Sequence, residues 1–197
     1  MARPERHKLP PRDFAQRELP IETVPRATSF VRIHQSEFDP LYFGKTGANR
    51  FDDPDGRYGV CYVARSHEGA FAETCLRAVG AQFVAATFLQ SRSFAIIETT
   101  APLRLALVRG SGLARLGATS VVSAGDHAIS QVWSRAIHEH QSAPDGLSYR
   151  ANHDNGEICA ALFDRCREGL KVASSQPVLS NRAQIGAILD RYKVGLG

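Results

Sequence analysis

Apolar and polar positions alternate along TSFVRIH (28–34), which predicts a strand. YGVCYVA (58–64) is a short apolar run rich in strand formers and predicts a second one. The stretch between them, 35–58, is dense in glycine, proline and aspartate and reads as a long loop, a feature that is usually functional in a compact domain. From 67 to about 79 the period changes to that of a helix, with Ala70, Phe71, Thr74, Cys75 and Ala78 on one stripe. Ser66 stands where an N-cap belongs and Glu68 falls in the first turn. Glu73 lies at the edge of the stripe, a position from which a side chain can line a cleft. Strands follow at 93–100 and 103–108, interrupted at Pro102, then a short helix or turn at 110–117. A helix capped by Asp126 or Ser123 runs to about 140, with Ala128, Ile129, Val132, Trp133, Ala136 and Ile137 in register. A turn at 143–146 leads into a strand beginning at 147–149, and another covers 157–163. Ser180 is placed to cap a last helix with Ile185, Ile188, Leu189 and Tyr192 inward.

Residues 1–25 are rich in proline and charge and read as an N-terminal arm with a short helix around 13–19; residues 26–197 read as one domain. The element order is that of a mixed α/β (α+β) domain, without the regular strand–helix alternation of a doubly wound sheet. Hydrophobic residues at 43% and charged residues at 22% of the 197 fit an ordinary globular protein. No apolar run approaches the roughly 20 residues of a membrane helix, and MARPERHKLPPRDF has no apolar leader segment, so a cytoplasmic protein is expected. Cys61, Cys75 and Cys159 sit in apolar patterns and Cys166 completes no CxxC, which reads as small buried hydrophobes in a reducing compartment. The net charge of +4 permits a nucleic-acid partner, an anionic small molecule or an acidic protein, and acidic and basic residues are interspersed.

Several constellations are missing: no Walker loop, no GxSxG, and Gly110, Gly112 and Gly117 miss the dinucleotide spacing. The His138-Glu139-His140 triplet ends a helix, where its histidines read as dipole compensation. No metal is expected. Polar residues that could converge remain: Arg32 inside the first strand, Arg50 in the long loop, Tyr62 in the second strand, Glu73, Asn152 and His153. Each also has a plain reading. Arg32 could face solvent on an edge strand, Tyr62 could be a core residue, and Glu73 could be solvated.

Order and spacing supply a further clue. FVRIH, NRFDDP, VCYVARS, AFAET, QVWSRAIHEH, PDGLSYRAN and ICAALF resemble, in sequence order, the motifs of RES-domain proteins over about residues 28–175. That resemblance implies a fold related to ADP-ribosyltransferase toxins, with largely antiparallel sheets and flanking helices. It implies a bacterial toxin paired with an Xre-type helix-turn-helix antitoxin, and one that consumes NAD+ as substrate with no cofactor beyond it. Arg32, Arg50, Tyr62 and Glu73 would line the NAD+ site, with Tyr58 in reserve for ring packing and Asn152 nearby. The family's serine slot is occupied by Ala151, leaving its role to Asn152 or Ser148 or to nothing, so a module that binds its antitoxin or a nucleotide without turnover is the alternative. Neither a direct nucleic-acid contact nor a membrane contact is implied, and the last helix leaves room for a homo-oligomer.

Overall fold

A computed structural model describes residues 9–76, 80 and 82–197. In chain order the strands and helices are β1 (Ile21–Val24), β2 (Ser29–Gln35), β3 (Val60–Ala64), α1 (His67–Cys75), β4 (Phe83–Val84), α2 (Ala86–Gln90), β5 (Arg92–Thr99), β6 (Leu103–Leu107), α3 (Ser111–Leu116), α4 (Val121–Ala124), α5 (His127–His138), β7 (Gly146–Arg150), β8 (Ile158–Phe163), β9 (Leu170–Pro177), α6 (Arg182–Tyr192) and β10 (Gly195–Leu196). The fold is mixed α/β. Eight strands form one sheet in the order β1-β6-β7-β8-β3-β2-β5-β9, and β4 and β10 form a small separate parallel pair. Among the described residues, β6 and β7 are the one parallel pair of the large sheet.

The sheet almost divides in its middle. β2 pairs with β5 from Ser29 to Gln35, and β3 pairs with β8 along its whole length. Between β2 and β3, however, the register holds one pair, Val31 with Ala64. Beyond that pair the two strands diverge, and the long loop that joins them, residues 36–59, has room to pass. Each face of the sheet buries its own core. Val31, Ile33, Val60 and Ala64 look toward α1, α5 and α6 together with Phe71, Trp133 and Ile185, while Phe30, Cys61, Val63, Ile97 and Leu162 form a second cluster on the other face. Period-two alternation along β2 and β3 makes that division. The loop serves both cores. Leu41 and Phe43 cover the second face, Gly44 bridges to Val60, and Phe51 and Tyr58 enter the first.

Several expectations need correction. The supposed arm is part of the fold from Phe14 onward. Phe14 and Leu19 are buried, a short 3-10 helix covers Phe14–Gln16, and β1 pairs antiparallel with β6 from Ile21–Ala106 to Val24–Leu103. The bracketing prolines hid a strand only four residues long. The first helix ends at Cys75, and the rest of its expected span, including Ala78, falls at 77–79, outside the described residues. Asn181, not Ser180, caps α6 through the Gln184 N–H at 3.1 Å, while the Ser180 hydroxyl donates to the Pro177 carbonyl at 2.7 Å. In α5, capped by Asp126, the inward face is rotated from the expected stripe. Ser130 and Ser134 are buried beside Trp133 and Ile137, whereas Val132 is exposed, because the serines hold the long loop. His138 is no dipole-compensating cation. Its ring stacks on Tyr58 with centroids 3.9 Å apart, and burial pushes its pKa down to about 4. His140 Nδ1 accepts the Ser142 N–H, and its Nε2 lies 3.1 Å from the Arg17 carbonyl. Cys61, Cys159 and Cys166 are buried and Cys75 is half-buried.

Candidate functional site

A cleft of about 420 Å³ opens where β2 and β3 part, on the face that carries α1. Its lining includes Arg32, Arg50, Tyr62, Glu73, Asn152 and His153. Such a volume falls in the range of small-molecule sites. α1 places Glu73 on the wall, and the helix starts where it does because the Ser66 hydroxyl accepts the Gly69 N–H at 2.9 Å. The Glu73 carboxylate is fixed at both oxygens. Oε2 accepts the Tyr149 hydroxyl at 2.8 Å, and Oε1 accepts the Asn152 backbone N–H at 3.0 Å. A carboxylate oxygen has two acceptor directions, so each keeps one for a ligand. Burial, and then the charge of Glu73, push the Tyr149 hydroxyl well above its usual range, which keeps it a donor.

Tyr62 offers the cleft a ring and not a hydroxyl. Its OH donates to Asp52 Oδ1 at 2.9 Å and accepts the Phe51 N–H at 2.9 Å. Burial, and then the negative charge of Asp52, hold that phenol protonated. Asp52 is fully buried and collects its other donors on Oδ2: the Asn49 N–H at 3.1 Å, Asn49 Nδ2 at 3.1 Å and the Thr46 hydroxyl at 3.2 Å. The loop is therefore folded around a carboxylate, and its Asn49 and Arg50 reach the cleft. α5 holds the same loop from the other side. Gln131 Nε2 donates to the Gly47 and Asn49 carbonyls, Ser134 Oγ to the Phe51 carbonyl, and Arg135 to Asp53 and Asp55.

The two arginines part company. Arg50 lies at the cleft with Nη1 donating to the Gly125 carbonyl at 2.5 Å, next to His127 at the start of α5. Arg32 borders the cleft, but its guanidinium leaves on the opposite face of the sheet. There Nη1 donates to the Pro40 and Tyr42 carbonyls at 3.0 and 2.9 Å and meets Cys61 Sγ at 2.6 Å. Strand parity foreshadows this, since Arg32 alternates with the inward Val31 and Ile33. Tyr58 is also not at the cleft; it is buried against His138 with its hydroxyl donating to Ser134 Oγ at 3.0 Å. Ser148 is buried on the far face, where its Oγ accepts from Arg109 Nε at 2.9 Å. Ala151 is buried, and its N–H donates to the Glu157 carbonyl. Tyr149 and Asp52, the residues that hold Glu73 and Tyr62, carry no assigned role in the sequence reading. Both stand inside motifs quoted there, but their partners lie 76 and 10 residues away along the chain.

The family model described as the RES domain matches residues 29–181. A probable toxin, y4kH, of Sinorhizobium fredii (strain NBRC 101917 / NGR234) is 39% identical over 107 residues, covering 54% of this chain and 84% of that protein. Among solved structures, the crystal structure of the M. tuberculosis MbcT–MbcA toxin–antitoxin complex matches with a TM-score of 0.66 at 16% identity, over 84% of this chain and 91% of that one. That similarity is one of fold.

Proposed function

The chain belongs to the RES domain family, and from that membership and the cleft we propose that it is the toxin of a toxin–antitoxin pair and cleaves NAD+ at the nicotinamide–ribose bond. The observation that carries the reading is a carboxylate fixed at both oxygens, Glu73, sharing one cleft with the ring of Tyr62 and the cation of Arg50. Breaking the bond from nicotinamide to ribose builds positive charge on the sugar, as in glycoside hydrolysis. A carboxylate already held in place stabilises that charge without reorganising, and its remaining lone pairs accept the ribose hydroxyls. Nicotinamide leaves as a neutral molecule from a cationic ring, so no strong general acid is needed. Before departure that ring is a cation, and the face of Tyr62 attracts it. Arg50 offers a planar fork to the pyrophosphate. Arg32 acts from the other face, tying the 40–42 segment to β2 at the cleft's edge.

The acceptor is water, phosphate or a protein side chain, giving hydrolysis, phosphorolysis or ADP-ribosyl transfer. The names of the matched proteins, a probable toxin and a toxin–antitoxin complex, support the toxin role and an antitoxin partner. An Xre-type antitoxin with an acidic segment suits the net charge of +4. The test is release of nicotinamide from NAD+ by the purified protein, followed by chromatography with and without phosphate. Glu73→Gln keeps the shape and removes the charge, and nicotinamide release at the wild-type rate from this variant refutes the assignment. Ala151 in the serine slot favours a second reading, a module that binds NAD+ without turnover. Calorimetric binding with no nicotinamide released identifies it.

A further inference from the structure

The Asn152 N–H that holds Glu73 belongs to the turn between β7 and β8. The turn is shaped from within by Gly156 N–H to Asp154 Oδ1 at 2.9 Å, Glu157 N–H to the Asp154 carbonyl at 3.0 Å and Ala151 N–H to the Glu157 carbonyl at 3.1 Å. It is also held from outside, by the last turn of α6. Arg191 Nη2 donates to Glu157 Oε1 at 2.9 Å and to Asp154 Oδ2 at 3.2 Å. The Tyr192 hydroxyl donates to the same Asp154 Oδ2 at 2.9 Å and lies 3.2 Å from the Glu68 carbonyl of α1. The second oxygen of Glu157 accepts from Ser66, the residue that caps α1. One cluster thus grips both supports of Glu73: the helix that bears it and the turn that donates to it. α6 lies just past the residues matched by the family model, 29–181.

We infer that Arg191 and Tyr192 are positioning residues for the proposed reaction, setting the distance between Glu73 and the Asn152 N–H from the C-terminal helix. The inference rests on the NAD+ reading for its kinetic part alone. Asp154 and Glu157 are sheltered, with side chains 19% and 13% exposed, so their charges are poorly screened from each other. Arg191 supplies the cation between them. Without it the two carboxylates repel and the turn moves away from α1.

The experiment pairs Arg191→Met with Tyr192→Phe. The phenylalanine keeps the ring parallel to Phe71, whose centroid is 5.9 Å away. Two quantities are read in the full chain: kcat and KM for NAD+, and the amide resonance and hydrogen-exchange rate of Asn152 by NMR. Glu73→Ala marks the shift that loss of the carboxylate bond produces. The expected result is a kcat lower by about tenfold with KM changed less than about twofold, since even a 1 Å misplacement costs about a hundredfold. The Asn152 amide shifts toward its Glu73→Ala position and exchanges faster. An Asn152 amide unchanged in the double variant, or a moved amide with unchanged kcat, overturns the inference. A wild-type protein that releases no nicotinamide defeats the functional reading, and the amide measurement then decides this one by itself.

Discussion

Replacing Asp52 with asparagine probes how the cleft is held, because the side chain keeps its size and loses only its charge and one acceptor. Three donors meet Oδ2 and one meets Oδ1, so the new amide settles with its oxygen toward Thr46 and Asn49 and its nitrogen toward Tyr62. The Tyr62 hydroxyl then faces a donor and loses its acceptor. The other three bonds survive without charge assistance, each weaker by about 0.5–1 kcal/mol. Relief from burying a charge offsets part of the sum, leaving a loss of about 2 kcal/mol. For a chain of 197 residues that corresponds to a fall in Tm of about 4–8 °C. Thermal unfolding measures it directly. The same change loosens the segment carrying Asn49 and Arg50 into the cleft, so KM for NAD+ rises while the Glu73 chemistry is spared. A Tm within 1 °C of wild type, together with an unchanged KM, refutes the claim that the loop is built around this carboxylate.

Tyr149→Phe removes the hydroxyl that fixes Glu73 Oε2 and leaves the buried ring in place; nicotinamide release is expected to fall about tenfold, the worth of one hydrogen bond to a charged group, with kcat bearing the loss. Acid stability tests the stacked histidine. The pKa of His138 falls from an ordinary 6.5 to about 4 in the fold, so the unfolded chain binds the extra proton between those values. Its contribution is therefore complete above pH 6.5 and is lost as pH falls to about 4, and His138→Phe flattens the pH dependence of denaturant unfolding across that window.

Much of the architecture was legible in the sequence where burial imposes a period. β2, β3, β7, β8 and α1 read directly: β2 alternates, β3, β7 and β8 are apolar runs buried on both faces, and α1 has helical spacing. β9 did not: from Lys171 to Pro177 it is exposed on both faces, so LKVASSQP carries no alternation. β1 was hidden by its brevity and its prolines. The cleft itself was partly readable. Arg50, Tyr62, Glu73 and Asn152 come from four separate elements to line one cleft. What holds them was not readable, because the bonds from Tyr149 to Glu73 and from Ser134 to Phe51 join distant residues whose local surroundings look like ordinary core. Arg32 shows the reverse error. Its type suggested a phosphate clamp, and strand parity, which sent it to the other face, was the better guide.

The order of the sheet also bears on when the protein becomes competent during its own synthesis. β1 waits for β6, made about eighty residues later, and β6 in turn lies beside β7. Tyr149 and Asn152 leave the ribosome later still, and Arg191 follows about forty residues after them. A nascent chain therefore has neither a complete sheet nor a supported Glu73 until Arg191 has been made, and whatever the cleft does to its substrate begins only after that.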